Sequence, residues 1–472
     1  MGDIMTPIVV ALEIVIFVYF MVLNVLYTLF TVVSLKDIRR YTSTVTDLTV
    51  KSILGGAFYK PLSVIVPAYN EEETIVASVN ALLNLQYPEF EVIVVNDGSK
   101  DKTMDALMRA FRLVRADKPI RRILDHNQVR GRYMSLDHHN LIVIDKKNGG
   151  KADALNAGMN ASSFPLFCCI DADSLLESEA LLRAARLFVE DREVIATGGI
   201  VRVLNGCTVK DGAVTEIRAP RSAIECFQAV EYTRGFLSGR TAWNSFGSLL
   251  IISGAFGIFR KDMVMAVKGY RHTVGEDMDL VVRLHKHCRE NKIKYKVLFV
   301  PDPVCWTQVP GDADSLRKQR NRWHRGLIDT LWHNRTMFLN PRYGMVGMMG
   351  FPYFVFVEAL GPVVEFSGYA GFLFFWSLGL ISTDVAVLFF LFAVVWGMWI
   401  NLGSIFLDNL LNRRYGSLRD ILRLYLFSIL EFMGYRQLIG LERFRAMFQF
   451  RKKGWGKPKR QKIKSEVSPG TA

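Results

Sequence analysis

Apolar positions along the chain fall into three regimes. Residues 7–35 form an apolar run that carries one carboxylate, Glu13. As a helix it would reach about 43 Å, enough to cross a hydrocarbon core of about 30 Å with tilt. It is longer than a signal-peptide core and lacks a small-residue cleavage signature, so it reads as a retained anchor. From about 60 to 300 the pattern changes to short, doubly apolar runs at 63–67, 92–95, 141–144 and 166–170. Helical stretches near 72–85, 101–115, 151–160 and 178–190 separate them. Runs that are apolar on both faces belong in a parallel sheet covered on both sides, so the fold class is α/β, built from βαβ units with a mostly parallel sheet. Residues 116–140 interrupt this order with a polar, basic stretch longer than an ordinary connection, which reads as an insertion.

Beyond a helix predicted over 315–334 the chain becomes lipid-like again. Residues 345–381 carry Glu358 and Glu365 but no Lys or Arg, 385–407 carry no charge, and 421–440 hold Arg423, Glu431 and Arg436. A hairpin at Gly361-Pro362 would make four C-terminal crossings, although Arg413, Arg414 and Arg419 would then face outward. Ionisable groups are expensive inside such spans, so they either line a polar path or pair between helices. The divisions expected are an anchor (1–40), a soluble domain (60–314), an interfacial helical segment (315–344), transmembrane α-helices (345–442) and a basic tail (443–472).

The net charge of +14 and mean hydropathy of +0.18 combine these two regimes. Positive charge clusters near the membrane ends, which indicates topology and not nucleic acid binding. Lys36, Arg39 and Arg40 follow the anchor, placing the N-terminus outside and the soluble domain and tail in the cytoplasm. None of the six cysteines forms a C-x-x-C pair, so zinc and a disulfide framework are not expected and a reducing compartment fits. His285-x-His287-Cys288 has the wrong helical spacing for a ligand set.

The chemistry-bearing residues sit where strands end. Pro67, Tyr69 and Glu71 follow the first run, in the position where ligands of open parallel sheets bind. The second run ends in Asn96-Asp97-Gly98-Ser99, where Asp97 can accept from a base or ribose or simply form an Asx turn. In Gly149-Gly150-Lys151, glycines before a helix expose N–H groups to anions and Lys151 adds a point charge. Asp171 and Asp173 leave the sheet edge together, and beside a diphosphate such hard oxygens suit Mg²⁺ or Mn²⁺. Glu276 and Asp277 open a helix. Gln319, Arg322 and Trp323 share one helix face, offering an amide, a guanidinium and an indole able to stack on a sugar. Alone, that face is an amphipathic basic helix with one core Trp.

Together, the three acidic stations followed by Gln-x-x-Arg-Trp resemble the processive family 2 glycosyltransferases, the group of cellulose, chitin, hyaluronan and poly-N-acetylglucosamine synthases. The resemblance covers about residues 60–335. It implies a GT-A-like nucleotide-sugar-binding domain and inverting transfer from a UDP-sugar to the end of a growing β-linked polysaccharide. It also implies an inner (plasma) membrane location, with export across the bilayer and room for accessory export subunits. Pro67, Tyr69, Glu71, Asp97, Lys151, Asp171, Gln319 and Arg322 would bind the donor. Ser253, Gly254, Glu276 and Trp323 would bind the acceptor, Asp173 the metal, and Asp277 would be the general base. Many relatives have a second Asp where this chain has Asn96, and cellulose synthases are richer in Phe and Cys around 253–257. Trp455 with Arg460 loosely resembles a basic-aromatic tail. A non-processive glycolipid transferase and a non-catalytic basic membrane scaffold are the alternatives.

Overall fold

The computed structural model describes residues 2–44, 59–116, 118–210, 212–379, 381–412 and 415–449. The tail from 450 on, with Trp455 and Arg460, lies outside the described residues, as do Arg413 and Arg414. Among the described residues twelve strands form: β1 (Leu62–Ala68), β2 (Phe90–Asn96), β3 (Leu113–Arg115), β4 (Val129–Ser135), β5 (Leu141–Lys146), β6 (Leu166–Cys169), β7 (Leu175–Leu176), β8 (Val194–Val203), β9 (Thr208–Lys210), β10 (Ala213–Glu216), β11 (Gly257–Arg260) and β12 (Lys296–Thr307). Ten of them make one sheet in the order β3-β4-β5-β2-β1-β6-β11-β8-β12-β7, and β9 and β10 make a hairpin.

The centre of the sheet, β5-β2-β1-β6, is parallel. Only β4, β11 and β7 run against the common direction, so the mostly parallel expectation holds. Val64, Ile65, Val66, Val92, Val94 and Val143 are fully buried, as the doubly apolar runs require. Parallel strands point their carboxyl ends the same way, and this gathers the turns after β1, β2, β5 and β6 at one edge.

Two expectations change at the far edge. The helix predicted over 101–115 ends at Ala110, and Leu113–Arg115 is strand instead. The 116–140 stretch is no structureless insertion, because it contains β4, which pairs antiparallel with both β3 and β5. β4 is only partly buried and bulges between Val129 and Gly131, which blurs its alternation.

The Gly2–Thr44 helix contains Ile14–Ser43, long and apolar enough to cross a membrane. Val346–Ala359 and Gly361–Ser377 together pass the same test as one bent pair. The hairpin expected at Gly361-Pro362 is a bend of 42° instead. Pro362 occupies the first turn of the second helix, where its missing N–H costs nothing, and the N–H groups of Val363 and Val364 both return to Leu360 O. The helix therefore restarts at once and the chain does not reverse. Residues 383–412 form the next long helix. Leu418–Leu430 and Arg436–Met447 follow, separated by a kink at Met433 and Gly434, and Arg436–Met447 packs along the Ala313–His333 helix.

Candidate active site

A single cavity of about 1680 Å³ is lined by all fourteen residues singled out from the sequence. It begins at the carboxyl edge of the sheet and continues between the membrane-type helices as far as Phe20, Asn24 and Asn401.

At the sheet edge the turns after β1 and β2 are laced together. Asn70 N–H donates to Ser99 Oγ at 3.0 Å, Lys100 N–H to Asn70 Oδ1 at 2.8 Å, and Glu71 N–H to Thr103 Oγ1 at 2.8 Å. Glu71 is buried and accepts from Thr74 Oγ1, so its carboxylate serves the turn, while Tyr69 is exposed at the cavity wall.

Asp97 departs from its expected place. Its carboxylate is buried and accepts from Gly149 N–H at 2.9 Å, Gly150 N–H at 2.7 Å and Lys146 Nζ at 2.5 Å. Lys146 is fully buried and also bridges to Asp153 in the first turn of the next helix. Burial pushes the Asp97 carboxyl up, and the Lys146 ammonium pulls against it. Asp97 thus fixes the Gly149-Gly150 turn from beneath instead of presenting free oxygens to a base. Gly98 (φ +66°) crosses so close to Asn148 that a Cβ would lie 2.7 Å from its backbone nitrogen. Lys146 was missed in the sequence reading. Its only signal was a lysine ending a buried strand, and the partner carboxylates come from elsewhere in the chain.

The turn that Asp97 fixes launches Lys151–Ala161, and Lys151 points back into the cavity. Its Nζ lies 2.5 Å from Asp171 Oδ1 and 3.4 Å from Glu276 Oε1. Burial alone would pull this ammonium down, but Asp171, Glu276 and Asp277 outweigh it and hold the pKa up. Burial conversely pushes the Glu276 carboxyl up, with Lys151 opposing. Asp173, two residues beyond Asp171, is half-buried at the same wall. Among the described residues no three His, Cys, Asp or Glu side chains cluster as a metal cage. A Mg²⁺-like ion bridging a diphosphate needs only one or two protein carboxylates, so Asp173, with Asp171 beside it, fits that chemistry.

Asp277 sits in the first turn of Glu276–Glu290, where Oδ2 accepts from Gly254 N–H at 3.1 Å. The Ser253-Gly254 turn therefore aims this carboxylate. Gly275, just before the helix, packs on Gly326 of Ala313–His333, where an added Cβ would come within 2.9 Å of the Gly326 backbone. This contact brings the acidic pair and the Gln319-Arg322-Trp323 face to one cavity. Asp312 caps that helix by accepting from Ser315 N–H at 2.9 Å. Trp323 is 41% exposed, with Tyr232 at 6.5 Å between centroids and the Arg320 guanidinium 4.3 Å above it. Tyr232, and Glu231 that pairs with Arg320 at 2.7 Å, also went unread in the sequence, because the helix that carries them, Ala223–Thr233, has no motif.

Residues 63–264 match the model of glycosyl transferase family 2, and residues 166–400 that of glycosyl transferase family group 2. The chain belongs to glycosyl transferase family 2. It is 27% identical over 292 residues to a poly-β-1,6-N-acetyl-D-glucosamine synthase of Staphylococcus aureus, covering 62% of this chain and 59% of that one. The synthase of Staphylococcus epidermidis is 27% identical over 266 residues, covering 56% and 54%. The match thus spans less than three fifths of either relative. Among solved structures, the mannosyltransferase PcManGT from Pyrobaculum calidifontis aligns with a TM-score of 0.49 and 16% identity, over 91% of this chain and 98% of that one. Residues 1–349 of S. aureus TarS align at 0.37 and 16%, over 79% and 92%. Both family models include the Asp171–Asp173 turn and the Ser253-Gly254 segment, and the second continues across Asp277 and the Trp323 helix.

Proposed function

We propose that this family 2 member transfers N-acetylglucosamine from its UDP ester to the growing end of a β-linked polysaccharide, with inversion at the anomeric carbon. One observation carries the reading: the four strand-end stations and the Gln319-Arg322-Trp323 face line one cavity, with Asp277 aimed by Gly254 between them.

Donor binding falls to Pro67, Tyr69, Lys151, Asp171, Gln319 and Arg322, with Glu71 and Asp97 fixing the turns that carry them. The diphosphate lies at the positive end of Lys151–Ala161, and Arg322 supplies a planar fork to it. A divalent cation held by Asp173 and the diphosphate would offset the charge that builds on departing UDP. Trp323 stacks on the terminal acceptor sugar, and Ser253, Gly254 and Glu276 bound its other side. Asp277 takes the proton from the acceptor hydroxyl. That oxygen attacks the anomeric carbon as the bond to the β-phosphate oxygen breaks, and the electron pair leaves with UDP.

The same reading places the chain in the plasma membrane with the N-terminus outside. The bent pair 346–377 would lead out and 383–412 back, so both Arg419 and the basic tail face the cytoplasm. Two C-terminal crossings replace four, and the parity is unchanged. The cavity's reach to Asn24 and Asn401 supports passage of the product across the bilayer, where export subunits would receive it. The test incubates membranes with each UDP-sugar in turn, with Mg²⁺, with Mn²⁺ and with a chelator. UDP-N-acetylglucosamine should yield polymer with either metal and none in chelator. Single-sugar glycolipid would shift the reading to the non-processive enzyme, and no product from any donor would shift it to a scaffold.

A further inference from the structure

Among the described residues seven Lys or Arg side chains line the cavity, and five of them meet a carboxylate within 3.0 Å: Lys151, Arg234, Arg320, Arg436 and Arg443. Arg322 has partners of its own. Arg240 differs, because among the described residues no carboxylate lies within ion-pair distance of it. Its guanidinium rests 3.7 Å from the centre of the Phe236 ring, and Nη1 is shut off from solvent with no acceptor. Burial draws its pKa down to about 10, and the charge of Asp277 opposes that fall, so the group stays protonated.

A buried guanidinium nitrogen with nothing to donate to is costly, and a ligand oxygen relieves that cost. The place where such an oxygen would lie follows from the neighbours. Tyr232, near the end of Ala223–Thr233, and Phe236 and Arg240, in the π-helical stretch Arg234–Arg240 that follows, recur at four-residue steps, and all three line the cavity. Tyr232 continues to Trp323, and Tyr232 and Phe236 stand 5.7 Å apart. Widened π turns occur often at functional sites. Arg240 thus shares the cavity with Asp277 and Gly254 and, through Phe236 and Tyr232, joins the aromatic wall that ends at Trp323. We propose that Arg240 is an acceptor-binding residue, donating to oxygen atoms of the acceptor saccharide beside the hydroxyl that Asp277 deprotonates. This rests on the transfer reaction proposed above.

The test compares full-length wild type, Arg240→Lys and Arg240→Met with UDP-N-acetylglucosamine and a β-1,6-linked N-acetylglucosamine oligosaccharide as primer. UDP affinity is read by calorimetry, and KM for the primer and kcat by UDP release. Arg240→Met should raise the primer KM at least tenfold while UDP affinity stays within twofold, and Arg240→Lys should recover part of the loss. An unchanged primer KM in Arg240→Met overturns the inference and leaves the proposed function standing. A parallel tenfold loss of UDP affinity also overturns it, by making Arg240 a donor-side or structural group. A wild type that binds UDP but neither binds nor extends the primer overturns the proposed function, and the inference with it.

Discussion

The two ends of the cavity treat charge in opposite ways. At the sheet edge Asp171, Glu276 and Asp277 crowd around one ammonium, Lys151. Among the membrane-type helices each acid has its own arginine: Glu365 with Arg436 at 2.7 Å, Glu358 with Arg443 at 2.9 Å, and Glu431 with Arg234 at 3.0 Å. An acidic excess held together by the fold leaves charge to be balanced from outside, by a cation or by a proton taken from a substrate. Matched pairs leave none, and they let ionisable groups sit where isolated ones would be expensive. The sequence left open whether the membrane charges line a path or pair between helices. They do both.

Asp277→Asn tests the acidic end most severely. Its amide oxygen can still accept from Gly254 N–H, so the turn stays in place while the base is lost. Turnover should fall roughly 10²–10⁴-fold with UDP affinity retained. A variant within tenfold of wild-type turnover would take Asp277 out of the mechanism. Lys146→Met tests the layer beneath. It leaves Asp97 and Asp153 buried without their ammonium, and breaking a buried charge set this way costs about 3–5 kcal/mol. Thermal unfolding should move down by several degrees and UDP should bind more weakly, because the Gly149-Gly150 turn loses its anchor. Unchanged melting would mean that water reaches those carboxylates.

A third expectation concerns pH, away from both ends. His285 is buried, with Nε2 2.9 Å from Leu249 O and Nδ1 2.8 Å from Tyr295 OH. Burial takes its pKa from 6.5 down to about 4. The folded protein therefore refuses a proton that the unfolded chain accepts. The stability this contributes is complete above pH 6.5 and is lost as pH falls toward 4, amounting to about 3 kcal/mol. Unfolding midpoints across that window should decline, and His285→Gln should flatten the decline. An equal slope in the variant would assign the acid sensitivity to other groups.

What could be read in advance follows from where each signal resides. The central strands were legible because Val64–Val66 and Val92–Val95 must be apolar on both faces. The cavity's residues were legible because strand ends in a parallel sheet converge. Strand β4 was not, since a partly buried strand with a bulge has no clean alternation. The role of Asp97 was hidden because the lysine that claims it lies 49 positions away. The bend at Pro362 looked like a reversal because Gly-Pro punctuates both, and only the hydrogen bonds to Leu360 distinguish them. Arg240 carries no motif, and only the pairing of the other cavity cations singles it out.

The smallest effect is expected at the paired end, and a double-mutant cycle on Glu365 and Arg436 reads it. Glu365→Gln and Arg436→Gln each leave one charge without the ion-pair partner it has at 2.7 Å, so each alone should lower the unfolding midpoint. The double variant removes both charges together and keeps two amides able to hydrogen-bond across the same gap, so its loss should be less than the sum of the two. The coupling should come to roughly 0.5–2 kcal/mol, modest because chains unfolded within a membrane also find partners for their charges. Polymer yield should change little in the double variant, since it restores neutrality along the cavity wall. An additive cycle with a steep loss of polymer would reverse the comparison, making these charges, like the acids at the sheet edge, part of what handles the substrate.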